Sequence, residues 1–184
     1  MMKYPSMAMA AACTLLGGCA TPPSALPQGY GGPTALIADS SYDYSTRKSD
    51  FFYVDAIDGK AVGNALDKTA NMNRGRGFGQ HVQGADRPVE PKSSVFHIVG
   101  STHYAAPILA MAGTSYYVDG DVTFTPVAGA SYVVKGSLGP DYSAVWIEDK
   151  ASGRQMGNKL IIKGAAEVSP LKKKREAEQV PPTQ

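Results

Sequence analysis

The stretch Tyr116-Tyr117-Val118-Asp119-Gly120-Asp121-Val122-Thr123-Phe124-Thr125-Pro126 decides how the chain is read. Tyr116, Val118, Val122 and Phe124 share one parity, and Tyr117, Asp119, Asp121, Thr123 and Thr125 share the other. Successive side chains of a strand point to opposite faces, so this pattern predicts an antiparallel strand with one buried and one wet face. Gly120 leaves a gap on the buried parity, which predicts a bulge or a close neighbour there.

Working outward, Val127-Ala128-Gly129-Ala130 is a turn sequence, and Ser131 to Leu138 alternates again with Tyr132, Val134 and Leu138 on one side. The two strands are expected to form a hairpin. Gly139-Pro140-Asp141 supplies a second turn, and Ser143 to Asp149, which carries the single tryptophan Trp146, resumes as a third strand of a meander. Ala35 to Ala38, Phe51 to Ile57, Val95 to Val99 and Lys159 to Lys163 are further strand candidates. No stretch holds a sustained apolar spacing at i, i+3, i+4 and i+7. The expectation is therefore an all-β fold, a single antiparallel β-sandwich of about seven strands, immunoglobulin-like or transthyretin-like, over residues 34–164.

The ends of the chain read differently. Lys3 and an apolar run from Met7 to Leu16 precede Leu16-Gly17-Gly18-Cys19, the pattern of a secretory signal over residues 1–18. About ten apolar residues span only about 15 Å as a helix, roughly half the hydrocarbon thickness, so the run is a targeting segment and not a membrane span. Residues 19–33 are rich in Pro and Gly and read as a flexible tether. Residues 165–184, with Lys172-Lys173-Lys174-Arg175 and a Pro-containing end, read as a disordered polar tail.

Leu16 to Cys19 resembles the lipobox of bacterial lipoproteins. The resemblance implies cleavage before Cys19 and acylation of its thiol, and Ala20 in place of aspartate after the cysteine implies the periplasmic face of the outer membrane. Of the two cysteines, Cys13 would leave with the signal and Cys19 would be acylated, so no disulfide is expected and the domain must hold together by packing. Ile57-Asp58-Gly59-Lys60, Tyr104 to Ile108, Asp121 to Pro126, Tyr132 to Gly136 and Ser143 to Asp149 together resemble a group of small proteobacterial envelope lipoproteins with no assigned activity. That resemblance supports fold and location and implies no catalytic residue.

The formal charge of the chain is +2. Lys3 accounts for one charge and the tail from Ala165 onward, four basic and three acidic residues, for the other. Residues 19–164 are then neutral, which gives no electrostatic footprint for nucleic acid.

Chemistry is sparse. Asn71 to Pro91 is a long polar, glycine-rich stretch, and loops of that length in compact domains are functional or mobile. Within it, Gly75-Arg76-Gly77-Phe78-Gly79 lacks the flanking strand, helix and Lys-Ser/Thr of a phosphate loop. Arg74, Arg76 and Phe78 are instead the candidate contacts to a partner, the guanidinium groups clamping anions and the ring stacking. Asp119 and Asp121 lie on one face about 7 Å apart by strand rise, without the loop signature of a calcium site. His81, His97 and His103 lack zinc spacing, and His97 reads as a sheet residue. No nucleophile-elbow sequence accompanies Ser101 and His103. Paired aromatics (Tyr42, Tyr44, Phe51, Phe52, Tyr53, Tyr104, Tyr116, Tyr117) exceed what one buried face can absorb, so some are expected at a binding surface or beneath a second layer. The expectation is a non-enzymatic lipoprotein without metal or cofactor, held by its lipid anchor, that binds or scaffolds a protein or peptidoglycan component of the envelope. The alternative is an inhibitor or accessory lipoprotein acting on a periplasmic or secreted enzyme or secretion complex.

Overall fold

Continuous apolar runs and alternating runs meet different environments in this chain, and the computed structural model, which describes residues 24–163, shows why. In chain order the elements are β1 (Ala35–Ala38), β2 (Ser40–Ser45), β3 (Lys48–Ile57), β4 (Lys60–Ala61), α1 (Ala65–Met72), β5 (Asp86–Val89), β6 (Ser94–Tyr104), α2 (Pro107–Ala112), β7 (Tyr117–Phe124), β8 (Ser131–Ser137), β9 (Tyr142–Asp149) and β10 (Gln155–Lys163). One sheet runs β10-β9-β8-β1-β5; the other runs β2-β3-β6-β7, with β4 added to β3. The fold is all-β and the two sheets pack as a sandwich. It has ten strands, beyond the seven or so expected, because β2, β4 and β5 are too short or too polar to show as alternation. All pairings are antiparallel except β1 with β8, where Leu36, Ile37 and Ala38 lie opposite Ser131, Tyr132 and Val133.

The inward parities of both sheets make the principal core: Ile37, Phe52, Val54, Phe96, Ile98, Val118, Val122, Tyr132, Val134, Val145 and Ile147. Phe124 sits between Phe96 (4.7 Å between ring centres) and Tyr132 (5.2 Å). The alternation of β7 behaves as expected, with Val118, Val122 and Phe124 buried and Asp119, Asp121 and Thr123 exposed. The gap at Gly120 is filled by a close neighbour, the Leu160 side chain of β10, while the β6–β7 register runs through it without a bulge.

The expected β7–β8 hairpin is corrected. β7 lies in one sheet and β8 in the other, so Thr125 to Ala130 forms an arch across the sandwich. Alternation fixes which side chains face inward, and an arch satisfies it as well as a hairpin. The Tyr132 hydroxyl accepts from the Val127 amide (2.9 Å) and holds the crossing. β8 and β9 do form the expected hairpin, with Tyr132 opposite Asp149 and Ser137 opposite Ala144.

Phe51-Phe52-Tyr53-Val54 is buried throughout because the sheet carrying β3 is covered on both faces. Phe52 and Val54 enter the principal core, while Phe51 and Tyr53 join Val99, Ala65 and Ala85 in a second one, under α1 and the chain that follows it. α1 starts at Asn64, whose side chain accepts from the Asp67 amide (2.9 Å) and so satisfies one free N–H of the first turn. Ala65 and Thr69, one turn apart, are its buried residues.

One buried ion pair joins the parts. Between β1 and β2 the chain crosses from one sheet to the other, and there Asp39 accepts from the Val54 amide (3.1 Å), the Ala65 amide at the start of α1 (2.8 Å) and Arg87 Nη2 on β5 (2.6 Å). The same Arg87 nitrogen donates to the Gly63 carbonyl (3.1 Å). The two side chains are 0% and 6% exposed. Burial raises the Asp39 pKa, against the lowering by Arg87 and the two amides.

The signal segment, Cys19 and the tail lie outside the described residues. Within the stretch read as a tether, Ala25 packs on the principal core and the Tyr30 hydroxyl donates to the Pro33 carbonyl (2.8 Å).

Candidate functional site

Asn71 to Pro91 is not a free loop. It contains the end of α1 and all of β5, and hydrogen bonds hold the part between them against the sheet. Asn73 Nδ2 donates to the Thr69 carbonyl (2.7 Å) and the His81 carbonyl (2.9 Å), and its Oδ1 accepts from the His81 amide (2.8 Å). The Gln83 amide donates to the Thr69 hydroxyl (2.9 Å). The Gln80 amide donates to the Thr46 carbonyl (2.7 Å).

Between this segment and α2 the outer face of β6 is left open as a cleft of about 490 Å3, within the roughly 300–1,000 Å3 of small-molecule sites. It is lined by Thr69 and Ala70 of α1, by Asn73, Arg74, Gly75, Gly77 and Gln80 of the segment that follows, by Ser101 and His103 of β6 with Tyr117 of β7, and by Pro107 and Ala110 of α2. Gln80 is 5% exposed; its Nε2 donates to the buried Ser49 hydroxyl (3.0 Å) and its Oε1 has no partner. Turning the amide over would orphan the other end, so one polar atom is left unsatisfied either way. The buried Ser101 hydroxyl lies near enough to the Tyr53 phenol to influence it but makes no aligned hydrogen bond. His103 packs edge-on to Phe51 (6.0 Å, 80°). Burial lowers its pKa, so its imidazole is neutral at pH 7 and offers one donor and one acceptor. Among the lining residues Arg74 is the single charged side chain and there is no carboxylate.

Of the three residues expected to meet a partner, Arg74 lines the cleft, with one guanidinium nitrogen donating to Asn71 Oδ1 (3.1 Å). Arg76 and Phe78 stand on the exposed side of the same loop, Phe78 59% exposed. Gly75 and Gly77 both have positive φ (81° and 74°), which curls the loop and presents the residues between and beyond them.

The three histidines occupy separate settings. His97 is held between Asp121 (Nδ1 to Oδ1, 2.9 Å) and Asp119 (Nε2 to Oδ2, 3.4 Å), so the aspartates flanking Gly120 hold an imidazole of the neighbouring strand. His81 is bound through its backbone to Asn73, and His103 is in the cleft. Among the described residues no group of three or more His, Cys, Asp or Glu side chains is placed to hold a metal ion.

A second concavity, about 300 Å3, opens at the sandwich rim between Tyr42, Tyr44, Asp50 and Leu138. Asp50 is buried there and accepts from Thr102 (2.7 Å) and Tyr44 (2.9 Å). Burial raises its pKa, partly offset by those two hydroxyls. Burial and the Asp50 hydrogen bond push the Tyr44 phenol up to about 12. Lys48 lies over the rings of Tyr44 (4.8 Å) and Tyr104 (5.6 Å). Every polar atom of the Asp50 carboxylate is thus occupied from within, unlike Gln80.

Gln80, Ser101 and His103 as cleft residues were not anticipated as a set; only the layer over the second face of the sheet brings them together. No family model, no curated protein and no solved structure matches this chain.

Proposed function

We propose that the chain is a lipoprotein of the outer membrane, acylated at Cys19 and facing the periplasm, whose folded body binds a component of the envelope without catalysing a reaction on it. The observation that carries the binding part is the cleft on the outer face of β6, where Gln80 keeps a buried polar atom without a partner. Native structures rarely leave such an atom unused. The lining has His103 and Ser101 but no carboxylate to orient the imidazole, which favours binding over acyl-transfer or hydrolytic chemistry.

The anchoring part rests on Leu16-Gly17-Gly18-Cys19. No helix of the described residues is long and apolar enough to cross a membrane. Two or three acyl chains, at about 0.8 kcal/mol per buried CH2, hold a protein to a bilayer without help from its surface.

A second reading has its own support: the exposed Phe78, set between Gly77 and Gly79 with Arg74 and Arg76 nearby, is shaped to enter the cleft of a periplasmic or secreted enzyme. Affinity capture from detergent-solubilised envelopes with the tagged chain separates the two. A stable stoichiometric assembly, or retention on purified peptidoglycan, supports the first. Capture of a hydrolase alone, abolished by Arg74→Ala and Arg76→Ala together, supports the second. Recovery of Cys19→Ser protein, correctly cut, in the membrane fraction would falsify the anchor.

A further inference from the structure

We infer that α2 and the loop carrying Phe78 form a docking surface for a segment of another envelope protein, one that presents apolar side chains together with carboxylates. The inference rests on the binding role proposed above and adds the place and the chemistry of the partner.

α2 is the starting point, because among the described residues nothing covers it. None of its six residues is buried, and no side chain caps its first turn. Ile108 and Met111 are 58% and 66% exposed. A helix this short is not stable alone, and helices in proteins owe most of their stability to an apolar face that packs. Phe78 adds a third exposed apolar side chain. Its neighbour Gly77 lines the same cleft as Pro107 and Ala110 of α2. Large apolar side chains gathered at one place on a surface mark an interaction site, whereas single scattered ones do not.

Charge and reach narrow the occupant. Residues 68–85 hold Lys68, Arg74 and Arg76 and no Asp or Glu, and residues 104–118 hold no charged residue. These two segments supply most of the cleft lining, so the complementary partner is acidic. A second copy of this chain, docked face to face, would set Arg74 and Arg76 against the same pair, which opposes self-association. Ser24 to Pro27 lie beside Ile57, Ser94 and Phe96, at the start of β6, and α2 follows the far end of that strand. The eleven residues of β6, at about 3.3 Å each, separate the two ends by about 33 Å. Five residue steps from Cys19 to Ser24 reach at most about 18 Å. An acyl anchor on Cys19 therefore lies by the pole opposite α2, which favours a periplasmic protein over the anchoring bilayer.

The test places a photo-crosslinking amino acid at Met111 or at Phe78 of the full chain in intact cells and maps the crosslinked segment by mass spectrometry. Both positions are expected to trap the same protein, through a segment that holds apolar residues with Asp or Glu among them. With the crosslinker at position 78, Met111→Asp should cut the adduct about tenfold or more, since it sets a charge where an apolar contact forms. With the crosslinker at position 111, Arg74→Glu and Arg76→Glu together should do the same through like-charge repulsion. Met111, Arg74 and Arg76 are all exposed, so these variants should melt as the parent does. Cys19→Ser protein should not cosediment with vesicles of phosphatidylethanolamine and phosphatidylglycerol. The inference is overturned by cosedimentation with the vesicles, or by an adduct within the chain or between two copies of it. Different proteins at the two positions, a trapped segment without Asp or Glu, adducts that the variants leave unchanged, or no adduct at all overturn it equally. Envelope capture that persists when the three substitutions are combined overturns this docking surface alone; a parent chain that captures nothing overturns the binding role beneath it.

Discussion

Removing either member of the Asp39–Arg87 pair is expected to cost far more than removing both. Asp39→Asn would leave the Arg87 guanidinium 6% exposed with the Gly63 carbonyl as its remaining acceptor, since Nε and Nη1 already lack partners. Arg87→Met would leave the fully enclosed Asp39 carboxylate on two backbone amides, Val54 and Ala65. Breaking a buried pair in this way costs about 3–5 kcal/mol, because a buried charge loses its compensation. Against a total stability of roughly 5–15 kcal/mol, each single variant should lose about 10–15 °C of melting temperature for a domain of this size. The double variant leaves no uncompensated charge, so the cycle should show a coupling of about 2 kcal/mol or more. Urea unfolding, followed by the single tryptophan Trp146 in a Cys19→Ser background, measures all four corners. Losses that add to within about 0.5 kcal/mol would refute the reasoning, and would mean that Asp39 serves as an acceptor for backbone amides and not as the charged joint between β1, β3, β5 and α1.

Gly136 of β8 is a point of close approach: an added Cβ would fall on the Phe52 ring and 2.6 Å from the Ala144 carbonyl oxygen. Gly136→Ala should lower stability by about 1–3 kcal/mol in thermal unfolding, whereas Gly139→Ala, whose nearest neighbour lies at 3.4 Å, should be close to neutral. Asn64→Ala removes the acceptor for the Asp67 amide and should cost about 1 kcal/mol, seen as faster amide exchange across α1. Burial lowers the His103 pKa below its unfolded value of 6.5. Between those two values the unfolded state binds more protons, so stability rises with pH across that window and is lost as pH falls through it. His103→Gln should flatten the difference in unfolding free energy measured at pH 5 and pH 7.5.

The two-residue period of β7 was legible because one face of that strand packs and the other meets water. It could not tell a hairpin from an arch, since both keep Val118, Val122 and Phe124 inward. β3 was legible as a strand, but its unbroken Phe51-Phe52-Tyr53-Val54 fitted an exposed binding surface as well as a second covering layer, and the fold takes the second course. What would cover the second face was hidden, because α1 buries only Ala65 and Thr69, residues too small and polar to mark a helical stripe. The cleft was hidden for the same reason. Ser49 and Gln80 are 31 residues apart, and Asp39 and Arg87 are 48 apart. Pairings of that separation are set by sheet topology and not by local pattern. Arg74 is legible as a cation in a glycine-rich loop, and its sharing of the cleft lining with Gln80 depends on that loop folding back toward β6.

The most direct test of the binding role is photo-crosslinking in intact cells, with a crosslinking amino acid replacing Ile108 on α2, beside the cleft, or Ile161 on β10, in the other sheet. Both side chains are about half exposed or more, at 58% and 48%, so access does not distinguish them. A discrete adduct from position 108, with none from 161, is the predicted result. An adduct from 161 alone, or from neither position, would contradict it.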